Sequence, residues 1–290
     1  MTRILAGYLA DRKGHVASHA TLEYAAAALR ATLGDLTPQH VTTERVRHYT
    51  RHRRSQGRAD GTIIRELVTL RAALRWGIKQ KWFEGEPHIE VPRSPPSRDR
   101  WLSREEADRL LDAAGAPHIR LFIALALYTA ARRGAILAMR WVQVDLERKR
   151  IALGRGVGNK GRATVPIAEP LMPELLTGLE LRTTDYVIEF NGEPVANVKT
   201  GFNAAARRAE LPGVTPHVLR HTAATWMAQR GVSLGMIAQF LGNSAAITER
   251  VYAHHHPDHL AAAVEALAGF PRQLAEKTTL RKAAKRSVSA

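Results

Sequence analysis

Four short stretches of the sequence gather side chains able to act on a phosphate ester. In Tyr128-Thr129-Ala130-Ala131-Arg132-Arg133-Gly134 a strongly apolar run ends in two arginines. That order sets a guanidinium at the edge of a core, where its planar fork matches two phosphate oxygens. An arginine at a helix end serves equally as a partner for the helix dipole or for solvent. The stretch His217-Val218-Leu219-Arg220-His221, introduced by Pro216 and followed by Thr222, is more specific. A spacing of three puts His217 and Arg220 on one helix face, so that an imidazole and a guanidinium converge on one group. Gly154-Arg155-Gly156-Val157-Gly158-Asn159-Lys160-Gly161-Arg162 is a turn carrying cations. From it Lys160 can reach a site as a proton donor, contact a phosphate, or stay solvated. It is not a Walker A loop, because the GxxxxGK(S/T) spacing is absent.

The fourth stretch is Glu249-Arg250-Val251-Tyr252-Ala253-His254-His255-His256-Pro257. A tyrosine hydroxyl has a pKa near ~10, so on the order of a thousandth is ionised at pH 7 and attack by it needs cations or a base nearby. Three consecutive histidines do not converge as i, i+4 metal ligands do, so a solvated or nucleic-acid-facing helix end is expected of His254 to His256 rather than a metal site.

Helical spacing and short strands supply the frame. Residues 121–140 read as a helix. Val142, Val144 and Leu146, then 151–153 and 163–167, read as strands of a hairpin or small sheet. Helices follow at 195–209, 216–230, 234–241 and 245–252, separated by glycine and proline. Upstream, the three prolines Pro92, Pro95 and Pro96 break the chain, which predicts a helical domain at 1–91, a linker at 92–100 and a second domain at 101–290. Ser103 and Glu106 form a capping box ahead of Ala107, Leu110 and Leu111, with Gly115 as a stop. Within 62–81, Ile63, Leu67, Leu70, Leu74 and Ile78 recur at helical spacing, and Arg71, Arg75 and Lys79 make a cationic ridge beside them. Residues 45–58 hold six arginines and two histidines without an acid, a solvated surface or a polyanion contact.

The 290 residues include 43 Lys and Arg against 27 Asp and Glu, for a formal charge of +16 and a pI near 10.8. Such a chain attracts polyanions, nucleic acid and acidic membranes foremost. Residues 1–100 carry 18 basic and 10 acidic side chains, so this third is about twice as basic per residue as the rest. The absence of cysteine excludes disulfides, a thiol nucleophile and thiolate metal sites, and fits a reducing compartment. The longest apolar run, 121–131, falls short of the ~20 residues that span a bilayer. The N-terminus lacks the pattern of a signal peptide. A soluble cytoplasmic protein with no membrane partner is expected.

In this order, Thr129-Ala-Ala-Arg132-Arg-Gly, Asn159-Lys160, His217-Val-Leu-Arg220-His221, Leu241-Gly242-Asn243 and Glu249-Arg250-Val-Tyr252-Ala-His254 resemble the tyrosine recombinases. These are the phage-integrase family of site-specific DNA recombinases, and the resemblance spans essentially the whole chain. It implies a mainly α fold with a small β-sheet in the catalytic domain, behind a helical core-binding domain. It assigns Arg132 and Arg220 as the two family arginines, Lys160 as the hairpin lysine, His217 as the box histidine and Tyr252 as the nucleophile. His221 would be an orienting residue. There are two departures: Asn243 stands where the family usually has His or Trp, and Ala135 where it has an acid.

The same resemblance implies cleavage through a 3′-phosphotyrosyl intermediate with release of a 5′-hydroxyl, without ATP, metal or other cofactor. Lys160 would protonate the leaving oxygen and His217 would assist proton movement at the tyrosine. The partner would be double-stranded DNA, gripped by both domains, with Arg71, Arg75, Lys79 and Arg162 on phosphates. Because the chain opens on the core-binding domain, arm-site binding is not expected. A homotetramer on two DNA sites is expected, with Leu260, Val264 and Leu267 as the apolar stripe of a docking tail. Two rivals are a cleavage-impaired DNA-binding regulator of the same fold and a type IB topoisomerase. The HxLRH box and the compact two-domain length favour recombination.

Overall fold

The computed structural model describes residues 1–16, 18–94, 99–154, 164–257 and 259–268. The chain divides into two compact units, Met1–Arg98 and Asp99–Ala290.

The first unit is built from α1 (Thr2–Arg12), α2 (His19–Leu33), α3 (Thr43–Ser55) and α4 (Asp60–Lys79). The stripe on α4 drives its packing: Ile63, Leu67, Leu70 and Leu74 are fully buried with Leu5, Leu29 and Tyr49. Glu66 is buried on the same helix, and its carboxylate accepts from the Tyr49 hydroxyl at 2.7 Å and from Arg53 at 2.6 and 3.0 Å. The arginine run of 45–58 is thus less free than its lack of local acids indicates. Arg53 pairs with Glu66, Arg54 with Asp60 and Arg47 with Glu90, whereas Arg45, Arg51 and Arg58 are exposed.

The second unit opens with the expected capping box. Ser103 Oγ accepts from the Glu106 N–H, the Glu106 carboxylate accepts from the Ser103 N–H, and α5 (Arg104–Asp112) follows. Helix α6 (Pro117–Thr129) buries Leu121 to Leu127 without a break and packs along α10 (Pro216–Gln229). Here the structure corrects the expectation of a single helix over 121–140. The chain turns left-handed at Ala130 (φ +50°) and restarts as α7 (Arg133–Leu137). Thr129 Oγ1 donates to the Leu125 carbonyl and accepts from the Ala131 N–H, which satisfies the groups freed by the break.

Strands β1 (Val144–Asp145), β2 (Arg150–Ala152) and β3 (Thr164–Pro166) form an antiparallel sheet in that order, with Val144 opposite Ile151 and Ile151 opposite Val165. Val142, read as a strand residue, lies instead in a single 3-10 turn with its side chain exposed. Beyond α8 (Met172–Glu180) and the hairpin of β4 (Glu189–Phe190) and β5 (Glu193–Pro194), α9 runs Lys199–Arg208. It starts four residues later than the pattern predicts, where Asn197 Oδ1 accepts from the Lys199 N–H. Then come α10, α11 (Leu234–Leu241), α12 (Ala245–Tyr252) and α13 (Ala261–Ala268). Phe122 and Phe202 meet edge to face at 6.4 Å in the main core, and a second core gathers Ala130, Ala223, Ile237, Leu241 and Tyr252. Among the described residues no helix is long and apolar enough to cross a membrane.

Candidate active site

The turn at Ala130 exists at a cost: an alanine in the left-handed region is unfavourable by ~1–2 kcal/mol. Its buried carbonyl accepts a hydrogen bond from Arg220 Nη1, which ties the turn to α10. Immediately after the turn, Arg132 occupies the N-cap position of α7 and donates through Nη2 to the Gly242 carbonyl and to Asn243 Oδ1, both at 3.2 Å. Arg220 is 7% exposed and donates through Nη2 to the Leu241 carbonyl at 2.7 Å and to Asn243 Oδ1 at 3.1 Å. Burial, and after it the neighbouring Arg132 cation, lower the Arg220 guanidinium to about 10, while Tyr252 opposes the shift. It remains charged at neutral pH.

Asn243 therefore bridges both arginines. It reaches that place because α11 ends at Gly242 in the left-handed conformation (φ +60°, ψ +45°), which a glycine adopts without strain. The Asn243 N–H then closes the helix on the Ala238 carbonyl at 3.0 Å.

Tyr252 ends α12 and is 6% exposed. Its hydroxyl lies 3.3 Å from His221 Nδ1, and His221 Nε2 lies 3.0 Å from Asp99 Oδ1. Asp99 also receives His254 Nε2 at 3.1 Å and His255 Nε2 at 3.2 Å. Burial raises the Asp99 carboxyl, but the bonds from His221, His254 and His255 prevail and bring it down to about 2. An ionised carboxylate only accepts, so each of these Nε2 atoms donates; in a neutral His221 ring, Nδ1 is then left to accept from the tyrosine. Burial raises the Tyr252 hydroxyl, Arg220 lowers it, and Asp99 raises it.

A solvated or nucleic-acid-facing end is expected at His254 to His256; His254 is half-exposed, whereas His255 is largely buried. The 3-10 turn Ala253–His255 folds His254 and His255 back on Asp99, with their rings 4.0 Å apart. Donor atoms of Asp99, His221 and His255 lie within 4.8 Å of one another, a spacing that the direct hydrogen bonds to the carboxylate account for.

His217, one turn before Arg220 on α10, is exposed, and partial burial together with Arg220 and His221 lowers its pKa. Among the described residues, the imidazole against the Tyr252 hydroxyl is that of His221. Ala135 packs into the main apolar core. Lys160 and Arg162 lie outside the described residues. On α4, Arg71 is half-buried and donates to the Ile89 carbonyl at 2.7 Å, while Arg75 and Lys79 are exposed. Asp99, which gathers these three imidazoles, is absent from the set expected from the sequence. It sits inside the proline-rich linker, and no local motif marks it.

Residues 100–259 match the phage integrase family. The chain is 29% identical over 218 residues to tyrosine recombinase XerA of Pyrococcus furiosus, an overlap of 72% of this chain and 76% of that protein. The integrase of transposon Tn1549 in complex with a circular intermediate DNA superposes with a TM-score of 0.78 at 17% identity, covering 91% of this chain and 98% of that one. A lambda integrase tetramer bound to a Holliday junction superposes with a TM-score of 0.69 at 18% identity, covering 86% and 76%. The fold, the family match and these relatives define an enzyme that cleaves and rejoins DNA strands. The chain belongs to the phage integrase family and is a tyrosine site-specific recombinase.

Proposed function

We propose that the chain cleaves and rejoins double-stranded DNA at specific sites through a 3′-phosphotyrosyl intermediate, with Tyr252 as the nucleophile. The observation that carries this reading is the Tyr252 hydroxyl against His221, in a small core whose Ala130 and Leu241 carbonyls accept from Arg220, with Asn243 joining Arg220 to Arg132. Two fixed guanidinium groups neutralise the non-bridging oxygens as charge develops, the stabilisation that a water-poor site makes strongest. Lys160 would protonate the leaving 5′-oxygen, and the exposed His217, three residues before Arg220 on α10, would be a further proton donor. The test is a suicide substrate: nicked duplexes from a genomic-fragment pool, incubated with EDTA present. A denaturant-resistant bond between protein and a DNA 3′ end supports the reading. Retention of DNA with no adduct on any fragment favours a binding-only regulator.

Asn243 bears on that rival. Its side-chain oxygen accepts from both arginines, so the residue that departs from the family pattern still organises the phosphate site. A hydrogen bond to a charged group contributes about 1.5–3 kcal/mol, so Asn243→Ala should slow adduct formation by roughly 10-fold or more with DNA retention little changed. Single-turnover cleavage and gel retardation separate the two quantities.

In the first unit, Arg75 and Lys79 are exposed for phosphate contact, whereas Arg71 donates to the Ile89 carbonyl. Each phosphate-contacting cation adds roughly 0.9 to the salt slope of DNA affinity. Arg75→Ala combined with Lys79→Ala should therefore lower that slope by about two, measured by anisotropy over a salt series. Arg71→Ala should change the slope less. The working form we propose is a homotetramer on two DNA sites, a DNA-bound cytoplasmic assembly. Leu260, Val264 and Leu267 support it as an exposed apolar stripe on and beside α13.

A further inference from the structure

The chain of contacts from Asp99 through His221 to Tyr252 uses an acid that lies just outside the recombinase motifs. Asp99 is half-exposed, and the segment that follows it is anchored. On one side Arg100 pairs with Glu106 of the capping box at 2.7 and 3.0 Å. Two residues further on, the Leu102 N–H donates to Thr222 Oγ1 and the Leu102 carbonyl accepts from Trp226 Nε1, both at 2.9 Å. Thr222 and Trp226 belong to α10, the helix that carries His221 and Arg220. The segment that presents the carboxylate is thus anchored to the helix that presents the imidazole. By also accepting from His254 and His255, Asp99 ties the turn directly after Tyr252 to the same point.

We infer that Asp99 is a positioning residue for strand cleavage: it holds His221 with the proton on Nε2, so that Nδ1 takes the proton Tyr252 gives up on attack. This rests on the cleavage reading above. In the forward step the Tyr252 oxygen bonds to phosphorus and the bond from phosphorus to the 5′-oxygen breaks. The tyrosyl proton moves to His221 Nδ1, and the 5′-oxygen takes a proton from Lys160. Religation runs these transfers backward, with the imidazolium returning its proton to the departing tyrosyl oxygen. The arrangement follows the logic of an acid behind a histidine behind a hydroxyl nucleophile, in which the acid fixes the tautomer and stabilises the imidazolium without itself becoming protonated. A separation of 3.3 Å between hydroxyl and Nδ1 is long for such a bond, as it often is before substrate closes the site.

The groups facing His221 are Asp99 from the entering segment, His255 from the 3-10 turn, Tyr252 from α12, and His217 and Arg220 from its own helix. Of these Asp99 is the anion, so its removal makes the imidazolium harder to form. Two measurements test the assignment on the full chain. In long-range proton–nitrogen spectra of the nitrogen-15-labelled protein, His221 should carry its proton on Nε2 in the wild type and lose that preference in Asp99→Asn. In single-turnover cleavage of the nicked fragments, Asp99→Asn should slow adduct formation by roughly 10- to 100-fold, the scale on which a positioned base acts. DNA retention should hold, and the ascending limb of the pH–rate profile should move to lower pH. Asp99→Glu should restore part of the rate.

An unchanged tautomer or an unchanged pH profile in Asp99→Asn overturns the inference while leaving cleavage by Tyr252 intact. A rate lost together with DNA retention and thermal stability, with no movement of the profile, also overturns it and makes Asp99 a structural brace. Failure of the wild type to form any adduct removes the cleavage reading and this assignment with it.

Discussion

Tyr252→Phe is expected to remove the covalent DNA adduct and all recombinant product, at least ~10⁴-fold below wild type, while DNA is still retained. The replacement keeps the ring that fills the small core with Ala130, Ala223, Ile237 and Leu241, and deletes only the hydroxyl that meets His221 at 3.3 Å. One hydrogen bond of that kind contributes about 1 kcal/mol, so the melting temperature should move by a few degrees at most. Denaturing gels after incubation with nicked duplex, paired with gel retardation, give both quantities from one preparation. A type IB topoisomerase would show the same loss, and relaxation of plasmids lacking any preferred site would distinguish it. An adduct that survives the substitution would place the nucleophile elsewhere.

Arg220→Lys should lower the rate of adduct formation by on the order of 10³-fold, the cost of losing one fixed donor to a developing oxyanion, and should also destabilise the second unit. Both effects come from the fork of the guanidinium. Nη1 and Nη2 reach the carbonyls of Ala130 and Leu241 and the side chain of Asn243, three points on two segments, the turn after α6 and the end of α11. A lysine ammonium has no planar fork with which to hold these points in one geometry. A buried carbonyl left without a donor costs about 1–3 kcal/mol, so thermal unfolding should come several degrees earlier. Activity lost with no change in melting would separate the two roles and contradict the geometry. Arg132→Lys, at an N-cap with fewer buried partners, should lose rate with less loss of stability.

Local signals made much of this legible. Helices α11 and α12 lie where the pattern places them, because Ser233 and Ser244 cap their first turns and Gly242 ends the first of the two. The capping box at Ser103 and Glu106 and the α4 stripe were equally plain. What stayed hidden depends on partners far along the chain. Alanine favours helix, so nothing in Ala130-Ala131 announces a left-handed turn, and it takes Arg220, 90 residues later, to hold the Ala130 carbonyl. Asp99 meets its histidines 122, 155 and 156 residues away. The acids that pair with Arg47, Arg53 and Arg54 lie outside the arginine run itself.

Both arginines, their shared asparagine and the tyrosine with its histidine belong to one polypeptide, and all of them fall within its second compact unit. On the proposed reading each copy then supplies its own tyrosine and both of its arginines. In a mixture of chains disabled at Arg220 with chains disabled at Tyr252, no copy can borrow what it lacks, so the mixture should be as inert as either alone. In the proposed tetramer, the order of strand cleavage would then be set by the contacts between copies rather than by who supplies the tyrosine.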